Sequence, residues 1–251
     1  MQTPPKEDAL WDRWAVAQLQ QDHIDIMRLF KRAPPRVDAW FGGFPHPVNF
    51  AGTTTTTTTT TCSCGAFGTT IVSDTFTDDN GVSLYSHIPD VDTVGNGWVS
   101  KLVTGLAEIQ GNEVEIPATD GEQAGIDTGV SDGEVSVDFT LADDGSTVNL
   151  IFRASLSNWS NRWQVVLTAV DDVELYEFPS GTLRGSSGSI GQGTFNLKAE
   201  FCCESITIYV DDSPIITHVS AAHQSNTLVG FGAAPDPGQI VTFDNFLFKG
   251  E

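Results

Sequence analysis

Hydrophobic spacing changes once along this chain, from a helical period to a strand period. From Glu7 to Arg32, Val16, Leu19, His23, Ile26 and Phe30 follow a three-four repeat, and Leu10, Trp14, Ile24 and Met27 widen the same apolar face. That spacing predicts one amphipathic helix. Pro4 and Pro5 precede it and Pro34 and Pro35 follow it, where helices start and stop. A single helix with so wide an apolar stripe is not stable alone in water, so docking or self-association is expected. His23 in the seam reads as a polar register-setting residue rather than a ligand. Beyond about Thr69 the period becomes two. Runs such as EVSVDFTLA, TVNLIFRAS, RWQVVLTAV, SITIYVDDSPIITHV and QIVTFDNFLFK are separated by turn clusters such as DDNG, ADDGS and APDPG. In RWQVVLTAV, Trp163, Val165 and Leu167 take one face and Arg162, Gln164 and Val166 the other. About a dozen short strands without helical periods between them predict an all-β, antiparallel two-sheet jelly-roll sandwich.

Between the two patterns lies a connector. Its first part, APPRVDAWFGGFPHPVNF, is rich in proline, glycine and aromatics, with Trp40, Phe41, Phe44 and Phe50 as anchors onto some surface. Nine threonines, Thr53 to Thr61, follow and favour extended backbone because every residue is β-branched. The organisation expected is therefore 1–35 a helical docking and oligomerisation segment, 36–68 an extended connector, and 69–251 the β domain. The threonine tract reads as a spacer ordered by contacts with copies of itself or a neighbour.

Charge narrows the partners. The net charge is −21, yet residues 1–40 hold six basic and six acidic side chains, so 41–251 carries all of it. Such a body repels phosphate backbones, which argues against nucleic acid. No run of about 18 apolar residues exists, so no membrane span is expected. The opening MQTPPKEDALWDRW lacks a basic leader, an apolar core and a small-residue cleavage site, so no secretory signal peptide is expected. Cys62 and Cys64 form a C-x-C, and Cys202 and Cys203 a C-C. Zinc sites favour wider spacing, and neighbours on a strand point to opposite faces, so metal binding is disfavoured. Buried thiols, a Cys62–Cys64 disulfide or a disulfide between chains remain open.

The β domain resembles a known family. VSDTFTDDNGVSLYSHIPDVDTVGNGWV opens it, ITIYVDDSPIITH comes late, and VGFGAAPDPGQIVTFDNFLF closes it. Together these are similar to the concanavalin A-like jelly roll of laminin-G-like and carbohydrate-binding modules, over about 180 residues. The resemblance implies that the opening strand pairs with the closing FDNF strand. It also implies that the YVDDSPI hairpin turns at Asp212-Ser213, where the family has Asp-Gly. An aspartate in the family's final strand ligates a structural calcium; Asp244 matches it, with Asp74 in the opening strand as its companion. The order of helix, stalk and acidic jelly roll is similar to bacteriophage virion proteins that carry such domains after an assembly-specific N-terminus.

Chemistry on the chain is sparse. Laminarinase-type glycosidases on this fold need Glu-x-Asp-x-x-Glu, a spacing that occurs nowhere here. The nearest pair, Glu113 and Glu115, reads as solvated strand charge. His46, His87, His218 and His223 are scattered and no G-x-S-x-G accompanies them. No enzyme is expected. For a saccharide, Arg153, Trp159, Arg162 and Gln164 in FRASLSNWSNRWQ, with Tyr176 on the next strand, offer a stacking ring and planar polar groups. The expected assembly residues are Trp14, Val16, Leu19, His23, Ile26, Phe30, Trp40 and Phe41. The function expected is a non-enzymatic virion structural protein (a capsid decoration, head-fibre or tail-appendage subunit) in the virion, displaying an outward jelly roll. Its expected partners are copies of itself, with a trimer preferred, other virion proteins through 1–35, and a host surface glycan. The alternative is a soluble oligomeric carbohydrate-binding lectin.

Overall fold

Alternating apolar and polar positions from Thr69 onward fold into strands that turn the apolar set inward. The computed structural model describes residues 65, 67–101, 107–117, 121–168 and 170–251. The segment read as a helix, its seam residues Trp14, Val16, Leu19, His23, Ile26 and Phe30, the anchors Trp40 and Phe41, the threonine tract and Cys62 and Cys64 lie outside the described residues. Among the described residues no helix is long and apolar enough to cross a membrane.

In chain order the strands are β1 (Thr69–Asp74), β2 (Val82–Ser83), β3 (Val91–Asp92), β4 (Val99–Ser100), β5 (Glu108–Gln110) and β6 (Glu113–Pro117). Next come β7 (Glu122–Asp127), β8 (Gly133–Leu141), β9 (Thr147–Ala154), β10 (Arg162–Thr168), β11 (Val173–Phe178) and β12 (Thr182–Ser187). The last are β13 (Gly193–Cys202), β14 (Ser205–Val210), β15 (Ser213–Val219), β16 (Leu228–Ala234) and β17 (Ile240–Gly250). They form two antiparallel sheets. One runs β15-β14-β13-β8-β17-β6-β5-β2, with β1 also on β17 and β3 on β1; the other runs β12-β11-β10-β9-β16-β7-β4. This is the jelly-roll sandwich the sequence predicts.

The inward faces supply the core. Trp163, Val165 and Leu167 of β10 are fully buried in it, as their alternation requires. At its centre Phe231 meets Phe243 at 4.5 Å, Trp98 at 5.3 Å and Phe76 at 5.8 Å between ring centroids. Aromatic rings at these separations add about 0.5–1.5 kcal/mol per pair beyond area burial.

Strand β17 pairs with β8 along one edge. Along its other edge it pairs first with β6, through Ile240 to Phe243, and then with β1, through Phe246 to Gly250. A bulge between Asp244 and Leu247, with Asn245 at φ 51°, marks the change. The first and last strands therefore lie side by side, as the resemblance implies. The β14–β15 hairpin turns on Asp211 and Asp212, at φ 48° and 60°, with Val210 opposite Ser213. Two positive φ values define a type I′ turn, whose twist matches the strands. The expected Asp212-Ser213 turn is thus one residue late.

Cys203 also departs from expectation. It adopts φ 52° at the β13–β14 turn, so it does not continue the strand. Its Sγ lies 3.6 Å from that of Cys202 rather than across the sheet from it. Both residues are disulfide-bonded, which overturns the buried-thiol reading for this pair.

Candidate functional site

The outer face of the seven-stranded sheet carries a connected set of polar side chains held by strands. Antiparallel partners point to the same side, so the register fixes the rows. One row runs Val99, Gly125, Gly230, Ile151, Gln164, Tyr176 and Leu183 across β4, β7, β16, β9, β10, β11 and β12. The next runs Gln123, Gly232, Asn149, Val166 and Glu174. Along these rows Arg162 Nε donates to Gln164 Oε1 at 2.9 Å, and Gln164 Nε2 donates to Asn149 Oδ1 at 2.8 Å. Arg162 also lies 4.1 Å over the Phe178 ring. Lys101 Nζ donates to Gln123 Oε1 at 2.9 Å. Burial, and then the neighbouring Arg162 charge, lower the Lys101 ammonium from its usual range; burial likewise lowers Arg162.

These two cations differ from the rest of the body. Residues 41–251 contain six basic side chains. Arg153 pairs with Asp132 at 2.6 Å, Arg184 with Glu177 at 2.7 Å, Lys198 with Asp212 at 3.2 Å and Lys249 with Glu134 at 3.5 Å. Lys101 and Arg162 have no carboxylate partner among the described residues.

Trp159 sits on this face, but flat rather than proud. The β9–β10 loop closes through Ser155 N to Asn161 O and Trp159 N to Ser155 O, both 2.9 Å, with Trp159 at φ 55°. Arg162 Nη1 donates to Trp159 O at 2.7 Å and holds the loop down. The indole packs with Ile151, Ala154 and Leu228 in a satellite cluster and is only 6% exposed. Gly125 makes room for it, since a Cβ there would lie 2.5 Å from the indole Cη2. Beside the ring opens a cleft of about 600 Å³ bordered by Lys101, Asp127, Asn158, Val99 and Leu156. Its floor is apolar at Leu228 and its border mixes apolar Val99 and Leu156 with polar Lys101, Asp127 and Asn158, a surface that can stack one side of a ring and hydrogen-bond its edge.

The structure brings Trp159, Arg162 and Gln164 together as expected, though the tryptophan is buried where an exposed ring was expected. Tyr176 shares the row with Gln164, but its hydroxyl donates to Glu174 at 2.7 Å. That bond, more than burial, pushes the phenol up to about 12. Arg153 leaves the face. At φ 45° its side chain is drawn wholly inside, where Nε donates to Ser131 O at 3.1 Å and the guanidinium lies 5.3 Å from the Phe201 ring. Lys101 and Asn149 escaped the sequence reading. A polar Asn149 alternating with core Val148 and Leu150 was the available signal for one; nothing local singled out Lys101.

The calcium pairing does not fit Asp74. This buried carboxylate accepts from Trp98 Nε1 at 2.7 Å, from Phe76 N at 2.8 Å and from His87 Nε2 at 2.9 Å. Three N–H donors with an imidazole among them leave no oxygen pair for a cation. Burial nonetheless pushes its carboxyl up, against the pull of those bonds. His87 Nδ1 meets Asp78 at 3.0 Å, so the ring bridges two carboxylates. They raise the imidazole above its ordinary value although burial opposes them. Asp244 stands at the β17 bulge opposite Asp138 and near Glu113, two residues before Phe246, the strand partner of Asp74. Burial raises its carboxyl first, and the charges of Glu113, Asp138 and Asp74 add to that. Glu113 and Glu115 lie in the ten-stranded sheet, away from the Trp159 face.

No protein-family model matches the chain. No curated protein matches it either. Solved structures similar to it include a Bacillus subtilis protein of unknown function with a galectin-like fold, at 11% identity and TM-score 0.50, covering 72% of this chain and 96% of that one. Another is LamA from Z. galactanivorans in complex with laminaritriose and laminaritetraose, at 10% identity and TM-score 0.51, covering 74% of this chain and 100% of that one. A third is the carbohydrate-binding module CBM66 from Bacillus subtilis, at 18% identity and TM-score 0.46, covering 61% of this chain and 95% of that one. The likeness is one of fold: this chain carries a galectin-like, concanavalin A-like jelly roll, an architecture that occurs in binding modules and in hydrolases alike.

Proposed function

We propose that the domain binds a saccharide on the outer face of the seven-stranded sheet without cleaving it, and that the N-terminal segment displays it as a virion appendage. The observation that carries the binding reading is the placement of Lys101 and Arg162. In a body where four of six cations are matched to carboxylates, these two have no carboxylate partner among the described residues; Lys101 borders the Trp159 cleft and Arg162 holds the Trp159 loop beside it. Arg162, Gln164 and Asn149 form a planar donor and acceptor ladder suited to vicinal hydroxyls. Fold neighbours that bind sugars, LamA with its laminarin oligosaccharides among them, support the class of ligand.

Carboxylate placement favours binding over hydrolysis. The strand carboxylates on this face, Asp127 in β7 and Glu174 in β11, are four strands apart. At about 4.8 Å per strand that is roughly 19 Å, well beyond the 5–10 Å that glycosidase carboxyl pairs require. Glu122, the other β7 carboxylate, faces inward to Tyr85 and Ser100. Display rests on the heptad-like seam of 1–35 and the charge carried by 41–251.

The test is a glycan array probed with the full chain and with Lys101→Met and Trp159→Ala, each checked for retained circular dichroism. Binding to a defined saccharide, weakened at least tenfold in both variants, is the expected result. Binding untouched by either variant would remove the site, and reducing-sugar release by the pure chain would remove the non-enzymatic reading. Mass spectrometry of purified particles tests display: fixed stoichiometry is expected, and a chain found only free would assign a soluble oligomeric lectin instead.

A further inference from the structure

Lys101 and Arg162 share one electrostatic neighbourhood. After burial, the Arg162 charge is what lowers the Lys101 ammonium. Two like charges held in each other's field cost folding energy that a negative group placed beside them would recover. The strand carboxylates on this face do not supply it. Asp127 Oδ1 accepts from Gly129 N at 3.0 Å and from Thr227 Oγ1 at 2.6 Å, and Glu174 Oε2 accepts from the Tyr176 hydroxyl at 2.7 Å. Neither pairs with Lys101 or Arg162. We propose that the ligand of this face is an acidic saccharide, whose negative group meets Lys101 within the field of Arg162 while its ring lies in the cleft beside Trp159. This rests on the domain binding a saccharide there at all.

The parts fit that ligand. The cleft of about 600 Å³ is of small-ligand size, and among the described residues Lys101 is the one cation on its border. Gln123 Oε1 takes one N–H of Lys101 Nζ at 2.9 Å, which steadies the ammonium and leaves its other N–H groups to donate. Arg162 is fixed more firmly, through Nε to Gln164, Nη1 to Trp159 O and the Phe178 ring. A charge already held in place costs little further ordering when a ligand arrives. Asp127, across the cleft border from the hydrophobic floor, offers an acceptor for a sugar hydroxyl.

The body's net charge of −21 opposes an anion at long range, and screening decides the balance. At physiological salt, exposed charges more than about 8 Å away are largely screened, whereas partly buried neighbours are screened much less. Contact with Lys101 and Arg162 therefore outweighs the distant carboxylates for a single negative group. A polyanion fares worse, because its remaining charges would lie over the acidic surface. The ligand is accordingly sparsely charged, one acidic sugar among neutral ones.

The experiment probes the full chain on an array of neutral, uronate-bearing and sulfated oligosaccharides, with heparin as the polyanion. Each oligosaccharide bound is then titrated calorimetrically beside its carboxyl-reduced or desulfated counterpart, using the parent, Lys101→Met and Lys101→Arg. Arg162 is left unchanged because it holds the Trp159 loop. In the parent, removing the negative group should weaken binding about tenfold or more, the size of one charge-assisted contact. In Lys101→Met the acidic and neutral forms should differ by about threefold or less, and Lys101→Arg should restore most of the difference. The uronate and sulfate arms identify which negative group supplies the charge. Neutral oligosaccharides bound as tightly as acidic ones, and weakened by Trp159→Ala, would overturn this inference and leave the saccharide reading standing. An undiminished acidic preference in Lys101→Met, or heparin as the tightest ligand, would overturn it too. A chain that binds nothing on the array removes both readings.

Discussion

Replacing Asp74 by Asn should destabilise the domain by about 3 kcal/mol, and more at mildly acidic pH than at alkaline pH. The carboxylate receives three N–H groups, from Trp98, Phe76 and His87. An asparagine keeps one acceptor oxygen and turns an NH₂ toward a donor that then has no partner. A buried donor left unsatisfied costs about 1–3 kcal/mol, and removing one partner of a buried ion pair about 3–5 kcal/mol. The pH dependence follows from His87. Neutral imidazole has a single N–H, but both ring nitrogens face carboxylates, Asp74 and Asp78, so the folded state retains the second proton. Its folded pKa is raised, so the stability it contributes is complete below the unfolded value near about 6.5 and fades as pH rises through the folded value. The Asp74 carboxyl is itself raised by burial; it takes a proton in the folded state before the unfolded one and does not drive acid unfolding. Urea unfolding followed by tryptophan fluorescence measures the effect. With a slope near 2 kcal/mol/M, the midpoint should fall by about 1.5 M at about pH 5.5 and by less at about pH 8.5. A midpoint within about 0.2 M of the parent, or an equal fall at both pH values, would refute the reasoning.

Gly125→Ala should lift the Trp159 indole, since the new Cβ would lie 2.5 Å from it and 2.8 Å from Leu228 Cδ2. A red-shifted emission with about 1–3 kcal/mol lost is expected, and unchanged emission would contradict the packing. Phe231→Ala opens the centre of the aromatic cluster around Phe243, Trp98 and Phe76 and should cost about 3–5 kcal/mol in denaturant melts. Asp212→Gly should raise the melting midpoint, because the left-handed φ of 60° costs an L-residue about 1–2 kcal/mol, more than the about 0.4–1 kcal/mol that glycine's extra unfolded-state freedom takes back. A lower midpoint would mean that the Asp212–Lys198 contact outweighs the backbone term.

The sandwich was legible because strand burial writes itself into alternation: Trp163, Val165 and Leu167 declare a core face without any knowledge of their partners. The pairing of the first and last strands came from resemblance, not from pattern, since nothing within VSDTFTD names FDNF as its neighbour. The site was half legible. Arg162 and Gln164 were readable as the polar face of a strand, and a tryptophan in the loop before them drew attention. Backbone conformation hid the rest. Arg153 looked like another polar strand residue, and only its φ of 45° sends it inside to Asp132. Cys203 looked like the far side of Cys202 until the turn brought their sulfurs together. Long-range partners were invisible too: Lys101 joins the face through Gln123, a strand pairing that local spacing does not encode.

The place of β17 has a consequence for biosynthesis. Among the described residues this strand, residues 240–250, alone links β8 to the pair β6 and β1 in the ten-stranded sheet. A ribosome that has made everything up to β16 holds most of both sheets' sequence but not the seam that joins one half of the larger sheet to the other. The domain consequently closes only once β17 has been made, by insertion of that strand between two waiting edges. Such non-local closure is slow, and those edges are exposed until it happens. A cell making many copies at once would therefore gain from chaperones that shield β8 and β6 during that interval, and expression at lowered temperature should raise the soluble yield.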